Sequence, residues 1–178
     1  MRMSDILRLV EPMIPALRRY ARALLRDATA ADDLVQDCLE RVISRWHQRR
    51  QDGDARTWVF AILHNLAINR LRQTARRGAH VSLEDADETV FARAPTQEDA
   101  LMRRDIVNAL ARLPEEQRSI LLLVSVEDLA YAQAAEVLGI PIGTVMSRLA
   151  RARERLRQLL EGQDAAVTRP GAHLRRIK

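Results

Sequence analysis

Apolar side chains recur at three- and four-residue steps along most of the chain, and no stretch alternates apolar and polar for long. That pattern predicts helices and no sheet. The clearest stripe is Leu34, Val35, Cys38, Leu39, Val42, Ile43 and Trp46. Asp33, Gln36, Asp37, Glu40 and Arg41 lie off it on a polar face. Thr29 to Asp32 (TAAD) reads as the capping box that opens this helix. A preceding helix is predicted from about Ser4 to Arg26, with Pro12 and Pro15 placed to break its start. Its inward face is Leu17, Tyr20, Ala21, Leu24 and Leu25. After the polar loop Gln48 to Asp54, Asp54 is placed to cap a third helix that reaches about Arg77. Trp58, Ile62, Leu63, Leu66 and Leu71 are its candidate core, and Trp46 and Trp58 both fall on apolar stripes. Asn65, Asn69, Arg72 and Arg76 follow at i, i+4, i+7 and i+11, so they share a different face.

The second half repeats the helical period. One helix is expected over Gln97 to Arg112, stopped by Leu113-Pro114, and another over Glu115 to Ser125, centred on Ile120-Leu121-Leu122-Leu123-Val124. Two further pieces, Ala130 to Leu138 and Ile142 to Glu161, flank Gly139-Ile140-Pro141. Here Ala135, Gly139 and Val145 suggest a helix-turn-helix. The small Ala135 suits close backbone approach, Gly139 tolerates a positive φ in the turn, and Val145 reaches back into the core. Leu138, Ile140 and Leu149 would complete that core, and Asp128 is placed to cap the first of the two helices.

Charge divides the chain in the same way. Residues 1–80 carry a net +6, residues 81–100 a net −5, residues 101–162 a net +1 and residues 163–178 a net +3. The acidic stretch, with Glu84, Asp85, Asp87 and Glu88, has no apolar period and reads as a flexible linker between two small helical domains. The expected organisation is therefore 1–80, a linker at 81–100, 101–162, and a basic tail at 163–178 expected to be disordered. Composition agrees with an all-α fold: aromatics are 3% of the chain, and Ala, Leu, Arg, Glu and Gln dominate. Cys38 is the single cysteine, so no intrachain disulfide forms. No apolar run approaches the ~20 residues of a membrane span, and no signal-peptide core opens the chain, so a cytoplasmic location is expected.

The second helix of the helix-turn-helix carries Thr144, Ser147, Arg148, Arg151, Arg153, Arg155 and Arg157. Arginine pairs bidentately with guanine O6 and N7 in the major groove, and its more distal copies suit phosphates. The Asn65, Asn69, Arg72 and Arg76 face offers a second surface for backbone or splayed bases. Catalysis finds no support. His47, His64, His80 and His173 lack metal-ligand spacing, there is no Gly-rich phosphate loop, and Asp32, Asp33 and Asp37 read as a solvated or partner-binding face. No cofactor, metal or small-molecule substrate is expected.

The stretches DDLVQDCLERVISRW (32–46) and RTWVFAILHNLAINRLRQ (56–73) resemble region 2 of sigma factors of the extracytoplasmic-function (ECF) type. LARLPEEQRSILLL (110–123) and AAEVLGIPIGTVMSRLARARERLR (134–157) resemble their region 4, in the family's order and spacing. The resemblance implies two helical modules, a region 2 bundle and a region 4 helix-turn-helix, bound to core RNA polymerase and promoter DNA. It implies that Asp33, Gln36, Asp37, Glu40 and Arg41 dock on core polymerase, and that Asn65, Asn69, Arg72 and Arg76 open and read the minus-10 element. It implies that loop 48–54 captures a flipped base, and that Thr144, Ser147, Arg148, Arg151, Arg153 and Arg155 read the minus-35 element. An anti-sigma partner is a common feature of the family. The chain departs from the family pattern at Ala130, where Ser is usual, and at Ala132-Gln133-Ala134, which replace an acidic pair and Ile. The alternative is a helix-turn-helix regulator that acts without core polymerase, which would leave the polar face of helix 32–46 without a role.

Overall fold

The computed structural model describes residues 3–50, 52–78 and 97–167, and these are helical with no strands. The expected linker at 81–100 falls largely outside the described residues, and so do residues 168–178. Helix α1 spans Met3–Val10, and the two prolines act as expected: Glu11–Met13 is a short 3-10 turn before α2, Ile14–Leu25. The expected α2 face is buried throughout, with Leu17, Tyr20, Ala21 and Leu24 fully so.

Helix α3 spans Ala28–Arg45 and starts earlier than the TAAD pattern suggested. Asp27 is its cap, accepting from the Ala30 amide at 2.8 Å. Thr29 and Asp32 therefore lie inside the first turns. Asp32 is turned instead to Arg22, at 3.1 Å. The buried stripe is Leu34, Val35, Cys38 and Val42, with Leu39 and Ile43 half-buried at its margin. Cys38 is free and buried, and its thiol faces the Val59 carbonyl at 3.8 Å. It packs as a small hydrophobe.

Helix α4, Ala55–Arg76, is capped by Asp54, which accepts from the Arg56 and Thr57 amides and from the Thr57 hydroxyl. Leu63 and Leu66 are buried as expected, but so are Val59, Phe60, Ala67 and Ile68. The extra burial has a cause in the packing. α2 and α3 cover one side of α4, and α7 from the second half covers another, so α4 is apolar around most of its girth.

In the second half, α5 is Gln97–Ala111 and α6 is Glu115–Leu121. The helix expected to run on to Ser125 instead widens into a π turn, Leu122–Val126, whose last bond runs from the Glu127 amide to the Leu122 carbonyl at 2.9 Å. Such turns rotate the following residues relative to an α-helix. α7 is Tyr131–Leu138 and α8 is Ile142–Val167. α8 runs through Gly162 to Val167, past the boundary expected at residue 162. One exposed helical glycine costs only about 1 kcal/mol, and the Gln163 to Val167 stretch, with its two alanines, continues the helix.

Gly139 ends α7 at φ +63°. The Ile140 amide bonds the Ala135 carbonyl and the Gly139 amide bonds the Glu136 carbonyl, the paired arrangement of a Schellman turn. Val145, Leu149 and Ala152 form the buried stripe of α8. The most enclosed small residue is Ala134, fully buried, while Ala135 packs half-buried beside it. Asp128 does not cap α7. It sits at φ +53°, and the Gln133 side chain closes the helix start by accepting from the Ala130 amide at 2.9 Å.

The buried apolar residues of both halves form one continuous cluster from Ile6 to Ala152. α2 touches α5, α6 and the π turn, and α4 touches α7. The two halves are thus packed against each other rather than held apart.

Candidate nucleic-acid and polymerase interfaces

Asp33, Gln36, Asp37, Glu40 and Arg41 are all exposed on one side of α3. Gln36 reaches Glu40 at 3.3 Å, and Arg70 stands 3.9 Å from Asp33. The face is predominantly anionic, with Arg41 at its edge. Asn65, Asn69, Arg72 and Arg76 are likewise exposed along one side of α4.

The loop between α3 and α4 is ordered by its own contacts. The Arg49 guanidinium lies 5.1 Å from the centre of the Trp46 ring and donates to the Gly53 carbonyl. Trp46 and Trp58 meet edge to face at 5.7 Å. Trp46 is buried, but Trp58 is only half-buried, because it lines a cleft of about 620 Å3. Arg49, Arg50, Asp52 and Asp54 line the same cleft, joined by Glu136 of α7. Partial burial pushes the Asp54 carboxyl up, but hydrogen bonds from the Thr57 hydroxyl and the Thr57 and Arg56 amides outweigh it, with help from the Arg56 charge. The net result holds that carboxyl below its ordinary range.

On α8 the exposed positions divide into two flanks. Thr144, Ser147, Arg148, Arg151 and Arg155 fall within an arc of about 100°, at about 100° per residue. Arg153 does not join them. It stands about 200° round from Arg151, on the flank of Ile142 and Met146, which are 46% and 50% exposed. Arg148 is drawn to Glu116 of α6 at 3.2 Å. Arg157 is held between Glu154, at 2.8 Å, and Glu161. Among the described residues, no carboxylate pairs with Arg151 or Arg155, and both line an open groove with Gln117 and Gln158.

Sequence reasoning missed the group at the junction of the two halves. Glu127, immediately after the π turn, is 1% exposed. Arg19 of α2 grips it with two bonds, Nε to Oε1 at 2.9 Å and Nη2 to Oε2 at 2.7 Å. Arg56 of α4 donates to the Glu127 carbonyl at 2.7 Å and stands 3.7 Å from its carboxylate. Burial pushes the Glu127 carboxyl up against the pull of these two cations. Gln133 donates to Asp54 at 3.0 Å across the same junction. No pattern in the sequence marks Glu127, because its burial follows from the π turn and from a partner more than a hundred residues away.

Among the described residues, no helix is long and apolar enough to cross a membrane, and no three potential ligand side chains gather for a metal.

A bundle with an acidic helical face, followed by a helix-turn-helix with an arginine-bearing second helix, is the architecture of a two-module DNA-binding protein. The family model for the "Sigma2 domain of PhyR" matches residues 10–64, and that for "Sigma-70, region 4" matches residues 103–156. The ECF RNA polymerase sigma factor EcfG of Rhodopseudomonas palustris is 35% identical over 150 residues, covering 83% of this chain and 80% of that one. SigL of Mycobacterium tuberculosis is 36% identical over 158 residues, covering 86% of each. Among solved structures, the sigma factor RpoE of Bartonella quintana, bound to the anti-sigma factor NepR, superposes with TM-score 0.76. It is 30% identical and covers 89% of this chain and 98% of its own. The chain belongs to the ECF RNA polymerase sigma factors.

Proposed function

We propose that the chain binds core RNA polymerase through the exposed acidic face of α3 and directs initiation at promoters that its two modules read separately. The α4 face of Asn65, Asn69, Arg72 and Arg76 meets the minus-10 element. The cleft beside Trp58 receives a base turned out of the stack, an event that costs a few kcal/mol and that pocket contacts offset. α8 enters the major groove at the minus-35 element. Thr144, Ser147, Arg148, Arg151 and Arg155 form one flank. Arg153 approaches the other strand's phosphates from the opposite flank, where Ile142 and Met146 suit thymine methyls. In this reading the protein positions DNA and catalyses nothing itself. An anti-sigma partner fits the reading too, because the RpoE relative is bound to one.

One observation carries the proposal against a free-standing regulator: Asp33, Asp37 and Glu40 are presented together, all exposed, on one side of α3. A regulator acting unaided has no use for that face. Asp37→Arg combined with Glu40→Arg is therefore expected to weaken capture of core polymerase by at least about tenfold, the scale of several charge contacts reversed at an interface. Fold and helix content should stay unchanged, since both side chains are exposed. Undiminished capture of core by the doubly reversed protein rules out the α3 assignment.

A further inference from the structure

We infer that Glu116 of α6 is a specificity-determining residue of the DNA-reading face: it aims Arg148 of α8 and offsets its charge, so that Arg148 serves a base edge rather than the phosphates. The inference rests on the reading of α8 as the minus-35 reader and adds to it a residue from outside the recognition helix.

The arginines of α8 differ in what holds them. Arg157 is paired within its own helix, with Glu154 and Glu161. Arg151 donates from Nε to the Ser147 carbonyl at 3.2 Å, also within the helix. Among the described residues, Arg148 is the α8 arginine that pairs with a carboxylate of another helix, Nη1 to Glu116 Oε2 at 3.2 Å. The pair does little for folding. Its side chains are 30% and 66% exposed, and an ion pair so open to water contributes little to stability. Both of its ends are nonetheless anchored. Arg118, Ser119, Ile120 and Leu121 bury the inner side of α6, and Val145, Leu149 and Ala152 bury that of α8. Glu116 lies in the first turn of α6, where the helix dipole favours a carboxylate. Two fixed backbones therefore present this carboxylate and this guanidinium to each other on the flank that also carries Thr144 and Ser147.

Two consequences for DNA follow. The first is geometric. A long arginine stem has many rotamers, and one already held loses less freedom when it docks. With Nη1 turned to Glu116, the remaining N–H groups of the planar fork point in a restricted set of directions. A guanine edge placed there takes two of them, and other base edges do not. The second consequence is electrostatic. Attraction to phosphate is driven by charge and is the same at every sequence. The Glu116 carboxylate offsets the Arg148 charge, so this arginine adds little to that attraction, while its directional bonds to a base edge remain. Affinity for random DNA is thereby lowered more than affinity for the matching sequence. That is discrimination gained by weakening the wrong complex.

The test uses the full-length chain and Glu116→Gln, which keeps the size of the side chain and removes its charge. Filter binding of the free chain to a random-sequence duplex at low salt reads the electrostatic part. The variant should bind about two- to threefold more tightly than wild type, the scale of one charge a few ångströms from a phosphate in water. Selection from duplexes randomised across the minus-35 element, by the chain loaded on core polymerase, reads the aiming. The Glu116→Gln complex should lose its preference at one base pair of the wild-type motif, the same base pair that Arg148→Ala loses. In the Arg148→Ala background, Glu116→Gln should take nothing further from the motif. A motif unchanged at every position overturns the inference. So does a loss at a base pair that Arg148→Ala leaves intact, or a random-duplex affinity that Glu116→Gln does not raise. Failure of the sigma reading would look different: the wild-type chain with core selects no motif, while the free chains still differ on the random duplex.

Discussion

At the scale of single residues, the buried polar groups are the ones whose placement has measurable consequences. Tyr20 and His64 meet at 2.9 Å inside the region 2 bundle, with Phe60 edge-on to the phenol ring. Burial pushes the Tyr20 phenol up, with Glu115 and Glu127 adding to the shift, so it stays protonated and shares a hydrogen bond with His64 Nδ1. Burial also pulls the His64 imidazole down from its ordinary 6.5 to about 4. Between those values the unfolded chain takes up a proton that the folded chain refuses. Stability is therefore fully present above about pH 6.5 and falls as pH drops toward about 4. The loss between about pH 7.5 and 5 should be about 2 kcal/mol from this one group. Denaturant midpoints at the two pH values read it, with His64→Gln as the control in which the loss is smaller. Equal pH sensitivity in the two proteins contradicts the assignment.

At the scale of elements, α8 is a helix with two exposed flanks and one buried stripe, and its arginines are not equivalent. Arg157 is neutralised between Glu154 and Glu161, whereas Arg151 has no carboxylate partner among the described residues. Arg151→Ala is therefore expected to cost promoter binding by the polymerase complex about 1–3 kcal/mol, roughly 5–150-fold. Arg157→Ala should change it by less than about twofold, since a solvated ion pair contributes little. Filter binding of a promoter fragment at fixed salt measures both, and equal losses would remove α8's flank from the interface. Much of this was legible in the sequence. The helices, the Gly139 turn, the Asp54 cap and the exposed faces of α3 and α4 all follow from local period and capping chemistry. Three features were not legible. The Asp27 cap lay two residues ahead of a better-looking pattern. The π turn over Leu122–Val126 has no local signal in the run of apolar residues that forms it. Gln133, one of the departures from the family pattern, caps α7 and reaches Asp54.

At the scale of the whole molecule, the sequence indicated two modules but not their contact. Each module's apolar stripes explain its own packing. The enclosure of Glu127 arises only where Arg19 of α2 and Arg56 of α4 close on the residue that follows the π turn. Local periodicity carries no information about partners 71 or 108 residues apart, the separations across which Arg56 and Arg19 hold Glu127. The molecule keeps the polar faces of α3 and α4 and the outer flanks of α8 accessible to solvent. The most direct measurement is run-off transcription of genomic fragments by core polymerase with and without the purified chain. The account predicts transcripts with discrete start sites that appear only when both are present. A chain that binds specific DNA tightly by itself, or that joins core and never yields a transcript, would contradict it.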